Sequence, residues 1–174
     1  MTTLDIAHLQ PQTSISRNFK YYEVIRSSQA SRSGIDNNIK DQAVLNRVVN
    51  LAENILEPIR EVLGPISPNS WYRGEELEKV TTYKSYLVWR DKQNRARLPS
   101  EWSDYLAKKS HPRGSAVDIE IPGIYNDYLF NWIKTSLEYD QLIREFPVKG
   151  DPMSGWVHVS YERGKNRKQA FTIG

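Results

Sequence analysis

The sequence predicts an α+β fold in which a small, mostly antiparallel sheet carries helices packed on one side. Two observations carry that reading. Apolar residues recur at spacings of three and four over residues 40–63 and again over 124–137, as on the buried face of a helix. Short segments with strand character stand at 116–121, 141–146, 156–161 and 169–173, and Pro147, Gly150, Pro152 and Gly155 mark a loop between the second and third. At 174 residues the chain suits a single domain spanning 1–174.

Taken in order, residues 1–20 are polar with isolated apolar positions and read as an arm or a first edge segment. Residues 19–25 read as a short structured segment, and the Ser/Gly-rich run 27–34 as a loop by composition. The helix over 40–63 gathers Leu45, Val48, Ala52, Ile55, Leu56 and Ile59 on one face. A kink is expected at Pro58, which has no N–H to donate, and Gly64-Pro65 ends the helix. Residues 66–72 read as a strand broken by Pro68 and so placed at a sheet edge.

Residues 75–79 suggest a helical turn, 83–89 a strand on aromatic content, and 91–98 a polar, basic stretch. Pro99-Ser100 starts a helix expected to reach about residue 108. Strict alternation over 116–121 predicts a half-buried strand, and Ile124, Tyr128, Leu129, Trp132, Ile133 and Leu137 predict a second amphipathic helix. Segments 141–146 and 156–161 are expected to pair antiparallel, and 169–173 to form a last strand.

Composition narrows the chemistry. Hydrophobic residues make up 39% and charged residues 26%, an ordinary globular balance. No apolar stretch approaches the roughly 18 residues of a membrane span. The first residues lack a basic, then apolar, secretory leader, so synthesis and folding in a cytoplasm are expected. Cysteine is absent, which removes disulfides, thiolate metal sites and cysteine nucleophiles. The net charge of +3 is too small to argue for an anionic wall polymer or for nucleic acid. Any histidine-based site must draw on His8, His111 and His158.

Two of those histidines stand in suggestive company. In His111-Pro112-Arg113-Gly114-Ser115-Ala116-Val117-Asp118, a loop histidine is followed by an aspartate inside the alternating strand. Val117, Ile119 and Ile121 make its core face, so Asp118 stands on the open face beside small Ala116. Trp156-Val157-His158-Val159-Ser160 alternates likewise, with His158 on the face opposite Val157 and Val159. Two histidines and one carboxylate form a set that binds catalytic zinc with a position left for water, whose pKa the metal lowers to about 7. Spacing by itself leaves a plainer reading open: a strand histidine that only hydrogen-bonds and an aspartate that only faces solvent.

His111-x-x-Gly114-x-Ala116-x-Asp118 followed by Trp156-x-His158 resembles the signature of the D-Ala-D-Ala carboxypeptidase family, which includes phage L-alanyl-D-glutamate endolysins and shares its fold with the hedgehog signalling domain. Further segments are similar in the expected order over roughly residues 14–174. Leu56-Glu57-Pro58-Ile59-Arg60 resembles the family's kinked first helix and Ser70-Trp71-Tyr72-Arg73 its S-G-Y-R strand. Tyr139-Asp140-Gln141-Leu142-Ile143-Arg144-Glu145-Phe146 resembles its F-D-Q-L-I-x-E-F strand, and Asn166-Arg167 its ending.

The resemblance implies a hedgehog-like metallopeptidase fold with Zn²⁺ on His111, Asp118 and His158, and Glu145 as general base. It implies Arg73 near the metal, where a guanidinium binds a substrate carboxylate or steadies an oxyanion. Trp156, Tyr72 and Ser110 are expected at the substrate. The pattern is broken in places. Lys109 replaces a family serine, with Ser110 adjacent, and Glu78 replaces an asparagine. Ten residues separate Glu145 from Trp156, more than the family's tight turn, which makes Asp151 in that loop the fallback base. Residues 79–108 form an insertion whose Tyr83, Tyr86, Trp89 and Trp102 read either as a satellite cluster or as a wall over the cleft.

The activity so implied is zinc-dependent hydrolysis of amide bonds in bacterial peptidoglycan peptides, as an endopeptidase or a D,D-carboxypeptidase, by a monomer. A phage lysis enzyme or virion component, made in the host cytoplasm without a leader, fits that reading. The alternative is a non-catalytic structural or wall-binding module on the same fold. Nucleic-acid binding through the basic aromatic stretch 79–97 is disfavoured, because acidic residues interrupt it. No membrane partner is expected.

Overall fold

The apolar periodicity of 40–63 folds as three consecutive helical pieces. They are α3 (Gln42–Leu51), a π-helical turn (Ala52–Leu56) and α4 (Glu57–Leu63). Asp41 caps the start, its carboxylate accepting from Ala43 N–H. The π turn sits immediately before Pro58, with Glu57 N–H bonded to Ala52 C=O. Proline has no N–H, and its ring crowds the carbonyl four residues back, so widening the preceding turn relieves both. The computed structural model describes residues 4–92 and 101–174.

Four strands make an open mixed sheet in the order β1-β3-β2-β4, with β1 at Ala116–Ile119, β2 at Gln141–Glu145, β3 at Trp156–Ser160 and β4 at Gln169–Ile173. β3 runs antiparallel to both neighbours, whereas β4 runs parallel to β2. One face of the sheet, with Val117, Ile119, Leu142, Val157 and Val159, packs into the core. Opposite it lie Leu45, Val48, Leu51, Ile55 and Ile59 of the long helix, together with Leu129 and Ile133 of α7 (Asn126–Ser136). The N-terminal arm adds Ile15 and Phe19 to this core, and Ser16 and Asn18 hydrogen-bond the Glu57 carboxylate.

Several local expectations need correction. Residues 27–34 are not a loop but α2 (Ser28–Ser33), with Ser27 as N-cap and Gly34 left-handed at φ 64° after the last turn. The serines and glycine that suggested a loop are its caps. Residues 19–25 contain α1 (Tyr21–Ile25). The strand expected at 66–72 reduces to a single bridge between Ser70 and Asp118, because Pro65 and Pro68 withhold donors. The turn at 75–79 and the strand at 83–89 are one helix, α5 (Glu75–Lys92). Tyr83, Tyr86 and Trp89 are spaced by three, so their helical period outweighs their β-propensity.

Tyr86 is the hub of an aromatic cluster, 5.3 Å from Trp102 and 5.4 Å from Tyr105 of α6 (Glu101–Leu106). The helix start expected at Pro99-Ser100 and the basic stretch beyond Lys92 lie outside the described residues. Among those described, no helix is long and apolar enough to cross a membrane.

Two contacts near the open face bear on stability. Gly114 is left-handed at φ 75°, and a Cβ there would lie 2.8 Å from Val44 C=O and 2.9 Å from Val48 Cγ2. The loop that carries His111 therefore rests directly on α3. Gly114→Ala is expected to cost about 2–4 kcal/mol, from left-handed strain plus overpacking, read as a lower urea midpoint.

Asp140, buried at the start of β2, accepts from Arg167 Nε and Nη2, each at 2.6 Å. Those bonds outweigh burial and hold its carboxyl below the usual range. A depressed folded pKa contributes stability above the unfolded value of about 4, and that stability is lost as pH falls through the folded one. Arg167→Ala should cost about 1–3 kcal/mol at pH 7 and flatten this acid loss. Urea midpoints at pH 7 and pH 3 measure both effects.

Candidate metal centre

Strand pairing places the open face in register. Asp118 faces His158 across β1 and β3, and His158 faces Ile143 on β2. Partners in register share a face, so Asp118 and His158 emerge together on the side away from the core. The Asp118 backbone is tied to the 69–70 segment: its N–H donates to Ser70 C=O at 2.7 Å and its C=O accepts from Asn69 N–H at 2.8 Å. His111 arrives from the loop before β1. Its Nδ1 lies 2.6 Å from the backbone oxygen of Trp71, a buried residue packed edge-on against Phe19.

The result is a buried cluster in which one ligand atom from each of His111, Asp118 and His158 lies within 4.8 Å of the others. His111 Nε2 is 3.3 Å from Asp118 Oδ1, and His158 Nδ1 is 2.8 Å from the same oxygen. The donor chemistry tests whether a cation fits. A carbonyl oxygen can only accept, so His111 Nδ1 carries the proton and Nε2 presents a lone pair.

Burial pushes the His111 pKa below its ordinary value, against the pull of Asp118, so the ring is neutral at pH 7. Burial alone would raise the Asp118 carboxyl, but the field of the site, with the hydrogen bond from His158, holds it far below the usual range. A lone pair therefore faces a carboxylate. Two ligands of one tetrahedral ion at about 2.0–2.1 Å stand about 3.3–3.4 Å apart, which matches the His111–Asp118 separation. The shorter His158 contact is a hydrogen bond whose proton a metal displaces. This His-Asp-His triad can hold a metal ion.

Further charged groups crowd the triad. Arg73 Nη1 stands 3.7 Å from Asp118 Oδ2, and Arg73 Nε donates to Glu78 Oε2 at 2.7 Å. Glu78 is fully buried, and its other oxygen has no partner among the described residues. Glu145 pairs with Trp156, which puts it on the open face beside the His158 row. Burial raises the Glu145 carboxyl; Asp118 adds to the rise, and His158 and Arg73 oppose it. Three carboxyl groups and one guanidinium therefore stand in and around the triad.

The remaining candidates are distributed unevenly. Trp156 lies on the open face with its ring 5.2 Å from Phe146; its buried indole N–H meets no acceptor at hydrogen-bond geometry but helps hold the Glu145 carboxyl down. Tyr72 lines a cleft beside Arg73. Ser110 lines a different cleft, with Lys108, Arg113 and Glu162.

Asp151 is not brought to the triad. It sits exposed in the β2–β3 loop, accepts from Met153 N–H, and lines a cavity with Asp127 and Arg144 on the face opposite Glu145. The long loop leaves Glu145 in register because Asn126 and Arg144 tie it down: Asn126 donates to the carbonyls of Met153 and Gly155, and Arg144 to that of Ser154. Glu78 was legible only as a departure from a pattern; what marks it is its burial beside Leu77 in the first turn of α5. Comparison with family models, with curated proteins and with solved structures returned no match.

Proposed function

We propose that this chain is a zinc-dependent peptidase acting on the peptides of bacterial cell wall, with a hedgehog-like metallopeptidase fold. The observation that carries the proposal is the convergence of His111 Nε2, Asp118 Oδ1 and His158 Nδ1 from a loop and two strands, with Glu145 and Arg73 beside them. The motif order described above supplies the substrate class.

Zinc, when bound, supplies Lewis-acid activation of water and of the scissile carbonyl. His111 is aimed by the Trp71 carbonyl, which fixes its tautomer. Glu145 accepts a proton from the attacking water and passes it to the amide nitrogen as the C–O bond forms and the C–N bond breaks. Its raised pKa suits a group that must both take and return a proton. Arg73, steadied by Glu78 and Ser70, is placed to donate to the oxygen on which negative charge gathers.

The test is direct. Zinc-loaded protein incubated with purified peptidoglycan should release new amino groups, and mass spectrometry of digested stem peptides should identify one bond cut. Absence of any new amine under conditions where zinc remains bound would remove the proposal.

A further inference from the structure

The cleft beside the metal centre has an unusual charge balance. Its volume is about 270 Å³, and its lining includes Arg26, Arg32 and Arg73 with Ser70 and Tyr72, and no carboxylate. It meets the metal site through Ser70, which bridges Asp118, and through Arg73, 3.7 Å from Asp118 Oδ2. The three guanidiniums are not equivalent. Arg73 is neutralised from behind by buried Glu78 at 2.7 Å, so its charge is already matched inside the protein. Arg26 Nη2 donates to Ser67 Oγ at 2.7 Å and Pro68 C=O at 3.0 Å, both uncharged. The exposed Arg32 side chain makes no hydrogen bond or ion pair with the described residues.

We infer that Arg26 and Arg32 form a subsite for a carboxylate carried by the substrate residue next to the scissile amide. This deepens the peptidase reading and rests on it for the identity of the ligand. The work is divided by charge. Arg73, already paired, acts on the reacting carbonyl, while the two unmatched guanidiniums offer formal charge elsewhere in the same cleft lining. Arginine suits that task because its planar fork binds a carboxylate through two parallel donors. Cell-wall stem peptides carry such a carboxylate, free or converted to the carboxamide, so the subsite would distinguish the two forms.

Two short stem peptides that differ only in that group, carboxylate against carboxamide, test the inference. Binding is read by calorimetry on zinc-loaded protein carrying Glu145→Gln, and KM and kcat are read on the wild-type chain. The carboxylate peptide should bind about 10–100-fold more tightly, the range expected for charge-assisted hydrogen bonds.

Arg32→Gln should shrink that ratio and Arg26→Gln/Arg32→Gln should bring it near one, acting on KM with kcat and zinc content unchanged. Both side chains are at the surface, and Arg32→Gln disturbs no described contact, so the fold is retained. Equal binding of the two peptides, or a ratio that survives the double substitution, overturns the subsite. An arginine-dependent ratio without any cleavage by wild-type protein leaves the subsite standing and removes the peptidase reading instead.

Discussion

On the proposed zinc-peptidase reading, His158→Ala protein is expected to fold and to lose both metal binding and hydrolysis. His158 lies in β3 with its backbone paired on both sides, so alanine keeps the ladder while removing one of three proposed ligands. Structural zinc sites of four ligands bind with about 10–16 kcal/mol, so one ligand is worth roughly 10²–10³ in affinity. His111→Ala should behave alike and in addition free the Trp71 carbonyl. The measurement is a competition titration of zinc against a chelator, paired with amine release from peptidoglycan. Activity that survives with zinc affinity unchanged would contradict the assignment.

Glu145→Gln is expected to separate binding from chemistry. The amide matches the carboxylate in size and pairs equally well in β2, so zinc should stay at one per chain while turnover falls by about 10²–10⁴. The acid limb of the wild-type pH profile carries the same information. Burial raises the Glu145 carboxyl above its ordinary value of 4.5. A base must be deprotonated to act, so activity should fall on acidification earlier than an exposed glutamate would allow. That limb should be missing from the residual activity of the glutamine variant.

The core of this chain was easy to read and its caps were not. Leu45, Val48, Ile55 and Ile59 recur with the helical period, and Val117, Ile119, Val157 and Val159 alternate, so burial on one face set both elements. α2 was misread because Ser27 and Gly34 act as caps of a six-residue helix, and short helices show too few turns to reveal a period. α5 was misread because its aromatics pack on α6 rather than on the main core, which leaves its apolar face narrow.

The candidate ligands were legible as residue types, since only three histidines exist, one shortly before an alternating strand and one within another. Their convergence depends on long-range pairing, Asp118 with His158 and Ser70 with Asp118, that local pattern does not encode. Glu78 acquires meaning only once Arg73 is seen 2.7 Å away. The same holds for Asp151: its loop position looked suitable until the sheet placed it across from Glu145.

X-ray absorption at the zinc edge of the stoichiometrically loaded protein interrogates the centre itself. The expected spectrum is four-coordinate, with two imidazoles and light oxygen or nitrogen ligands at about 2.0–2.1 Å. A shell without imidazole scattering, or protein that takes up no zinc, would contradict the account.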